Sequence, residues 1–354
     1  MPGKLSPESF AQCPLPITAH DTIQLAHGSG GKMMNDLIGK LFLWAFENPV
    51  LDRQDDQGIV EIHGARVAVS TDSFVVDPLF FPGGDIGELA VNGTVNDVCM
   101  CGATPLFLTA GFILEEGVPL ETLKKVVESM RAAALKAGVT IIAGDTKVVN
   151  KGKGDKVFIN TTGIGLVEHG YSISSRNIKP GDVLLISGTI GDHGVTILSQ
   201  REGLAFQAPV ESDTAALNGL VRQVVDAGGE GVHAMRDPTR GGLAATLNEF
   251  AAASRVGIKI HEDRIPIDPA VSGACELLGL DPLYVANEGK ALVVAAESVA
   301  ERVLEAMKSH PLGSNAAIIG RVVREDPGLV SMRTRLGTWR IVDMLVGEQL
   351  PRIC

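Results

Sequence analysis

The sequence predicts a mixed α/β protein of two domains, and three observations carry that prediction. The chain has 354 residues, 45% of them hydrophobic, which is enough for two sizeable cores. Strand-like and helix-like segments alternate through both halves, the pattern of mixed α/β domains. Around Ser172–Gly181 the composition turns polar, and Lys179-Pro180-Gly181-Asp182 reads as a turn between the halves. The expected division is an extension at 1–20, a first domain at 21–172, a second at 173–345 and a mobile tail at 346–354.

Composition narrows the function classes. Aromatic residues are only 4% of the chain, so the cores must be built from Val, Ile, Leu and Ala. The net charge of -11 argues against nucleic acid or an anionic membrane as partner. No apolar run is long enough to span a bilayer, and no charged-then-apolar leader is visible. Five cysteines, Cys13, Cys99, Cys101, Cys275 and Cys354, are odd in number and lack C-x-x-C spacing. Neither a zinc site nor a disulfide framework is indicated, and a reducing cytoplasm is expected. Cys99 and Cys101 sit in an apolar helical stretch and read as small core residues.

In chain order, His27-Gly28-Ser29-Gly30-Gly31-Lys32 precedes a helix start, where glycine amides can cradle an anion. It is not a Walker A loop, because Met33 follows the lysine. Gly58–Ile62 and Arg66–Ser70 read as strands turning at Gly64, which brings Asp56 and Asp72 to the same end. Two carboxylates placed together repel unless a cation lies between them. Ile86 to Met100 has helical spacing interrupted by Asn92, Asn96 and Asp97, which makes Asp97 a third carboxylate candidate. Leu106–Leu114 is a strand, Glu121 to Ala137 an amphipathic helix closed by Gly138, and Val139–Ala143 a short buried strand. The last of these ends in Gly144-Asp145-Thr146-Lys147, and Val157 to Leu166 is the final strand of this half.

In the second half, Val183–Gly188 is a buried strand and Gly191-Asp192-His193-Gly194 a turn into a helix, with His193 read as a turn or capping residue. Asp237-Pro238-Thr239-Arg240-Gly241-Gly242 is a second glycine loop, with an arginine placed for an oxyanion and a helix from Leu243 to Ala253. Asn287-Glu288-Gly289-Lys290 leads into the strand Ala291–Ala295. A helix (Val299–His310) and strands near Ile318 and Arg340 follow. The chain closes with Pro351-Arg352-Ile353-Cys354. A chain end is usually frayed, and a tail from Val346 could reach roughly 30 Å. A thiol on it is a mobile nucleophile, although a cysteine without a role is the simpler reading of that residue alone. No G-x-G-x-x-G follows a strand, so a dinucleotide fold is not supported. Acidic oxygens with lysines and glycine amides are what magnesium and a triphosphate need.

These stretches, with Ser70-Thr71-Asp72-Ser73 and Asp77-Pro78-Leu79-Phe80-Phe81-Pro82-Gly83-Gly84, resemble the HypE family of nickel-iron hydrogenase maturation proteins. That family shares a superfamily with aminoimidazole ribonucleotide synthetase, selenophosphate synthetase and thiamine monophosphate kinase. The resemblance runs from about Ile23 to the tail, and the terminal cysteine is its specific feature; the extension with Cys13 does not match. It implies a two-domain PurM-like fold whose N-terminal sheet pairs with its twin in a homodimer, with ATP bound near that interface. It further implies that Cys354 receives a carbamoyl group from the carbamoyltransferase HypF. The carboxamide is then dehydrated with ATP to S-cyanate, and cyanide passes to iron on the HypC–HypD complex.

An amide oxygen is a poor leaving group, so phosphorylation from ATP and a base for the nitrogen protons are required. By resemblance, Cys354, Lys147 and Glu288 are the catalytic candidates; Lys147 could instead hold the γ-phosphate. Gly30, Gly31, Lys32, Asp72, Asn92, Asp97, Asp145 and Arg240 are the ATP-binding candidates. Asp56, Asp72, Asp97 and Asp145 are those for magnesium. The rival readings are a sister activity, with Cys354 incidental, and a non-catalytic scaffold that uses the tail for docking.

Overall fold

The computed structural model describes residues 22–203, 210–347 and 352–354. The extension with Cys13, and residues 348–351 of the tail, lie outside the described residues.

A glycine loop enters helix α1 (Lys32–Leu37). Strand β1 (Gly58–Ile62) then pairs with β2 (Ala65–Phe74), Gly58 opposite Val69, through a turn where His63 and Gly64 take positive φ. Asp56 and Asp72 therefore emerge at the same end, as the hairpin reading expected. A short ribbon of β3 (Phe80–Phe81) and β4 (Gly84–Asp85) leads into helix α2 (Ile86–Cys99). Asp85 caps it by accepting from the amides of Gly87 and Glu88, which would otherwise lack partners. Strand β5 (Thr104–Glu115), helix α3 (Leu120–Ala137) and strand β6 (Thr140–Val149) form a parallel β–α–β unit, and β7 (Val157–Leu166) inserts antiparallel between β2 and β5. The sheet order is β1-β2-β7-β5-β6.

Helix α2 lies across this sheet almost wholly buried. It approaches closely because Gly163 and Gly165 of β7 face it: a Cβ at either position would strike the methyls of Val98. Cys99 and Cys101 are buried there, as expected of core residues. The reading of β6 needs correction. It is not a short buried strand ending at Gly144; it continues to Val149 as an edge strand, exposed along nearly its whole length. An apolar run of five residues signals burial on both faces only when strands flank both sides.

The second sheet has seven strands in the order β14-β13-β10-β12-β8-β11-β9. They are β8 (Val183–Ile186), β9 (Val232–Arg236), β10 (Gly257–His261), β11 (Leu292–Ala295), β12 (Ala317–Val323), β13 (Val330–Arg333) and β14 (Trp339–Ile341). Their period of two sends Leu184 and Ile186 into the core under α6 (Gly242–Ser254). Val183 and Leu185 face the opposite core, with α5 (Asn218–Gly228) and α8 (Glu297–Ser309). Helices α4 (Asp192–Glu202) and α7 (Pro269–Leu278) pack instead toward the first half. There Val195, Ile197, Val271 and Ala274 share one core with Leu89, Val126 and the tail residues Ile353 and Cys354.

Asn96 ties the halves together. Its Nδ2 donates to the carbonyls of Ala215 (3.0 Å) and Glu288 (3.3 Å), and its Oδ1 accepts from the Leu217 amide (2.8 Å). That satisfies a polar residue with no solvent exposure. Among the described residues, no helix is long and apolar enough to cross a membrane.

Candidate active site

Carboxylates converge where β1 begins, α2 ends and β9 stops. Oxygens of Asp56, Asp97 and Asp237 lie within 4.8 Å of one another. Asp56 is held by the Arg236 guanidinium (2.6 Å), whose other face holds Glu249 (2.7 Å). The Ser70 hydroxyl lies 2.8 Å from both Asp97 Oδ2 and the Asp56 carbonyl. Removal from water pushes the Asp56 carboxyl up to about 6, against the pull of Arg236. Asp97 is raised well above the carboxylate range by burial first, then by the charges of Asp237, Asp56 and Asp72. Asp237 is raised by burial and by Asp56. Hard oxygens crowded at the expense of their own ionisation are a donor set that suits a divalent cation such as magnesium.

A stability prediction follows. Each carboxyl keeps, when folded, a proton that the unfolded chain releases, so without cation stability falls as pH climbs from the ordinary carboxylate value of 3.8 through the raised ones. Asp97→Asn removes a carboxyl that must either hold a proton or repel its neighbours. At pH 7 without divalent cation it is expected to melt at least about 2 °C above the parent, the shift of about 1 kcal/mol in a chain of this size. Millimolar magnesium should raise the melting temperature of the parent and leave the variant nearly unmoved. A parent indifferent to magnesium would refute the cation reading.

The tail reaches the same region from the other side. Its last residues run antiparallel to the segment after β2. The Val75 amide donates to a main-chain oxygen of Cys354 (2.9 Å), and the Asp77 amide lies 3.4 Å from the Arg352 carbonyl. Arg352 donates back to the Val75 carbonyl (3.1 Å) and pairs with Asp155. Arg201 of α4 bridges the carbonyls of Asp77 and Arg352 (2.8 and 2.7 Å). Ile353 and Cys354 are consequently buried. Burial pushes the thiol up to about 12 against the charge of Arg240, while Glu288 and Asp72 push it the same way as burial.

Glu288 is 2% exposed, and its Oε1 has no hydrogen-bond partner among the described residues. Burial holds its carboxyl well above the usual range; Asp237, Asp72 and Asp213 add to this, and Arg240 opposes. Its amide donates to Asp213 (3.0 Å), which also holds Lys290 (3.0 Å). Arg240 lies 3.9 Å from Asp72, and its proton affinity is raised by Cys354 first, with Asp72 and Glu288 adding and burial opposing. Its loop packs on the first glycine loop: Gly30 and Gly241 both have positive φ, and a Cβ on Gly30 would strike the Arg240 carbonyl. The Lys32 amide is committed to the Leu345 carbonyl (2.8 Å), where the sequence suggested an anion cradle at Gly30, Gly31 and Lys32.

Of the sequence candidates, the fold gathers Asp56, Asp72, Asp97, Arg240, Glu288 and Cys354. Asn92 is buried one turn before Asn96, its Nδ2 3.3 Å from the Thr214 hydroxyl. Asp145 and Lys147 are not brought in: they form an ion pair (2.8 Å) on the open edge strand, about 70% exposed. Their position inside β6, not past its end, is the reason. Asp237 joins the cluster from the second glycine loop, and its place directly after a strand end is the sequence signal that marks it. His193 is corrected from a turn or capping residue to a fully buried side chain facing the tail. Asp213 gave no sequence signal.

The chain matches two family descriptions: "AIR synthase related protein, N-terminal domain" over residues 54–167 and "AIR synthase related protein, C-terminal domain" over 179–331. A protein of Azotobacter vinelandii named carbamoyl dehydratase HypE is 56% identical over 333 residues, 94% of this chain and 97% of that one. A crystal structure of a HypE–HypF complex is similar at 53% identity and TM-score 0.83, covering 87% of this chain and 99% of that chain. A structure of hydrogenase maturation protein HypE in complex with ATP is similar at 50% identity and TM-score 0.80, covering 94% and 100%.

Proposed function

Since this chain belongs to the HypE family of carbamoyl dehydratases, enzymes of hydrogenase maturation, we propose that it removes water from an S-carbamoyl group on Cys354 to leave an S-cyano group. The observation that most supports this is the placement of Cys354. The residue is buried at the end of the docked tail, where its thiol feels the charges of Arg240 and of Glu288, whose Oε1 has no hydrogen-bond partner among the described residues. This favours a carrier cysteine over an incidental one, and over the sister activities in which the cysteine would have no part.

ATP supplies a phosphoryl group to the carboxamide oxygen, so that phosphate leaves when the carbon–oxygen bond breaks. The nitrogen gives up its two protons as the nitrile forms. Glu288 is suited to take one, being buried, unpartnered and of raised proton affinity. Arg240, whose charge also acts on the thiol, is suited to hold the oxygen side of the group. Asp56, Asp97 and Asp237, with Asp72 beside them, would hold magnesium, which supplies charge neutralisation on the phosphates. The surrounding apolar core excludes water from an intermediate that water would destroy.

The other features fit the family's partners. HypF is the expected carbamoyl donor, in keeping with a relative's complex with it, and HypC–HypD the cyanide acceptor. A homodimer is supported by the open edge of β6 and by Phe107, Ile113, Ile141 and Val69, exposed on the first sheet. In such a dimer Lys147 and Asp145 would be covered and could join a nucleotide site that one protomer leaves incomplete.

The test is intact mass. With HypF, carbamoyl phosphate and ATP, a carbamoyl addition at Cys354 should appear, followed by loss of one water. Addition at Cys13 or Cys275 instead would defeat the assignment.

A further inference from the structure

We propose that His193 is the positioning residue that sets the register of the docked tail, holding the Ile353 carbonyl so that the Cys354 sulfur faces Glu288. This rests on the function proposed above but on different observations. His193 is the second residue of α4 and has no solvent exposure. Its Nε2 lies 2.5 Å from the Ile353 carbonyl oxygen, and its Nδ1 lies 2.8 Å from the Ser212 hydroxyl. A carbonyl only accepts, so Nε2 carries the proton. Nδ1 of the neutral ring then accepts from Ser212, whose oxygen in turn accepts from the Thr214 amide (3.2 Å). Burial holds the imidazole below its ordinary value, which agrees with a neutral ring. The Phe81 ring meets it edge to face at 5.6 Å and limits its rotation.

The need for such a residue comes from the way the tail is bound. Its pairing with Val75 and Asp77 is made to the first half of the chain, by main-chain groups that would accept any sequence slid by two residues. Glu288 belongs to the second half. A bond from the second half to the residue adjoining the cysteine is what relates the two, and His193 makes it. The start of α4 is itself tied to the segment before Glu288: the Gly191 amide donates to Asn287 Oδ1 (2.8 Å) and the Gly194 amide to the Ala286 carbonyl (3.1 Å). On the other side, Ser212 orients the imidazole, and its neighbour Asp213 accepts from the Glu288 amide. The ring that grips the tail and the segment that carries Glu288 are thereby mounted on one frame. Arg201, two turns further along α4, holds the carbonyl of Arg352, which is one residue farther from the cysteine than Ile353.

The experiment compares His193→Ala, His193→Gln and Ser212→Ala in the full chain. The first readout is the rate of Cys354 alkylation by iodoacetamide, located by peptide mass. The second is the single-turnover rate of water loss from chain already loaded with carbamoyl. His193→Ala should speed alkylation about tenfold and slow water loss at least about tenfold, with loading by HypF unchanged or faster, from loss of one buried hydrogen bond and of register. His193→Gln, whose amide can donate to the same carbonyl, should recover both rates to within about threefold of the parent. Ser212→Ala should shift both in the direction of His193→Ala by a smaller factor.

Parental alkylation and water loss in His193→Ala would overturn the proposal. So would a folded His193→Gln no better than His193→Ala, which would mark a packing role. If His193→Ala does not fold, the glutamine and Ser212 variants decide alone. Alkylation needs no carbamoyl chemistry, so failure of the latch is distinguishable from failure of the carbamoyl reading, which would appear as no mass change in the parent.

Discussion

Cys354→Ala should eliminate carbamoyl loading and every later product, a loss of at least about 10⁴-fold, the scale seen when a covalent nucleophile is removed. ATP binding should survive, because the groups assigned to it lie just before β1, on β2 and α2, and in the loop after β9. Intact mass and a nucleotide-binding titration separate the two effects; a variant that still yields the dehydrated product would remove the carrier from the mechanism. The docked thiol sharpens the prediction. With its pKa pushed up to about 12, the thiolate fraction at pH 8 is on the order of 10⁻⁴, so the sulfur is nearly inert while buried. On the function proposed above, loading is expected with the tail undocked, where the ordinary thiol value applies, and dehydration with it docked. The same burial that silences the nucleophile excludes water from the dehydration. A tail alternating between the two settings would separate two steps with opposite needs.

Glu288→Gln should slow water loss by about 10²- to 10⁴-fold, the contribution of a positioned general base, and leave carbamoyl loading untouched. Single-turnover mass measurements on preloaded chain read it directly. Burial, reinforced by Asp237, Asp72 and Asp213, holds the Glu288 proton well above the carboxylate range. The base is the ionised form, so the parental rate should climb with pH through that raised value, and the glutamine variant should lose this limb. Stability runs the other way. The folded chain keeps the Glu288 proton where the unfolded chain releases it, so stability is full below the ordinary glutamate value and declines as pH rises through the raised one. The glutamine variant should lose that part of the decline. A variant with parental turnover, or a parental rate that falls with pH, would assign the proton transfer elsewhere, with Lys147 the remaining candidate.

Much of the scaffold was legible because its signals are local. Helix α3 shows an apolar face and a closing Gly138 in the left-handed region, and its expected span, Glu121–Ala137, differs from the observed Leu120–Ala137 by one residue. Strand β7 alternates along its whole length and was read at its observed ends. Strand β6 misled because five apolar residues look alike whether covered or left at an edge; no window of sequence says how many neighbours a strand will have. The strands β9, β10 and β13 and the helices α5 and α7 lie in segments without a distinctive local signal.

By itself the sequence determined the alternation of elements, the turn that sets Asp56 beside Asp72, the glycine loops and the cysteine at the end of the tail. Only the tertiary structure decided which acids meet, that Asp237 joins them while Asp145 and Lys147 stay on an open edge, and that a histidine read as a turn residue grips the tail. The physical reason is range. Periodicity and turn chemistry act over a few residues, whereas His193 and Ile353 are 160 residues apart and meet because two halves pack about one core. Burial, and with it the raised proton affinity of Glu288 and the quiet thiol of Cys354, belongs to that packing and to no segment alone.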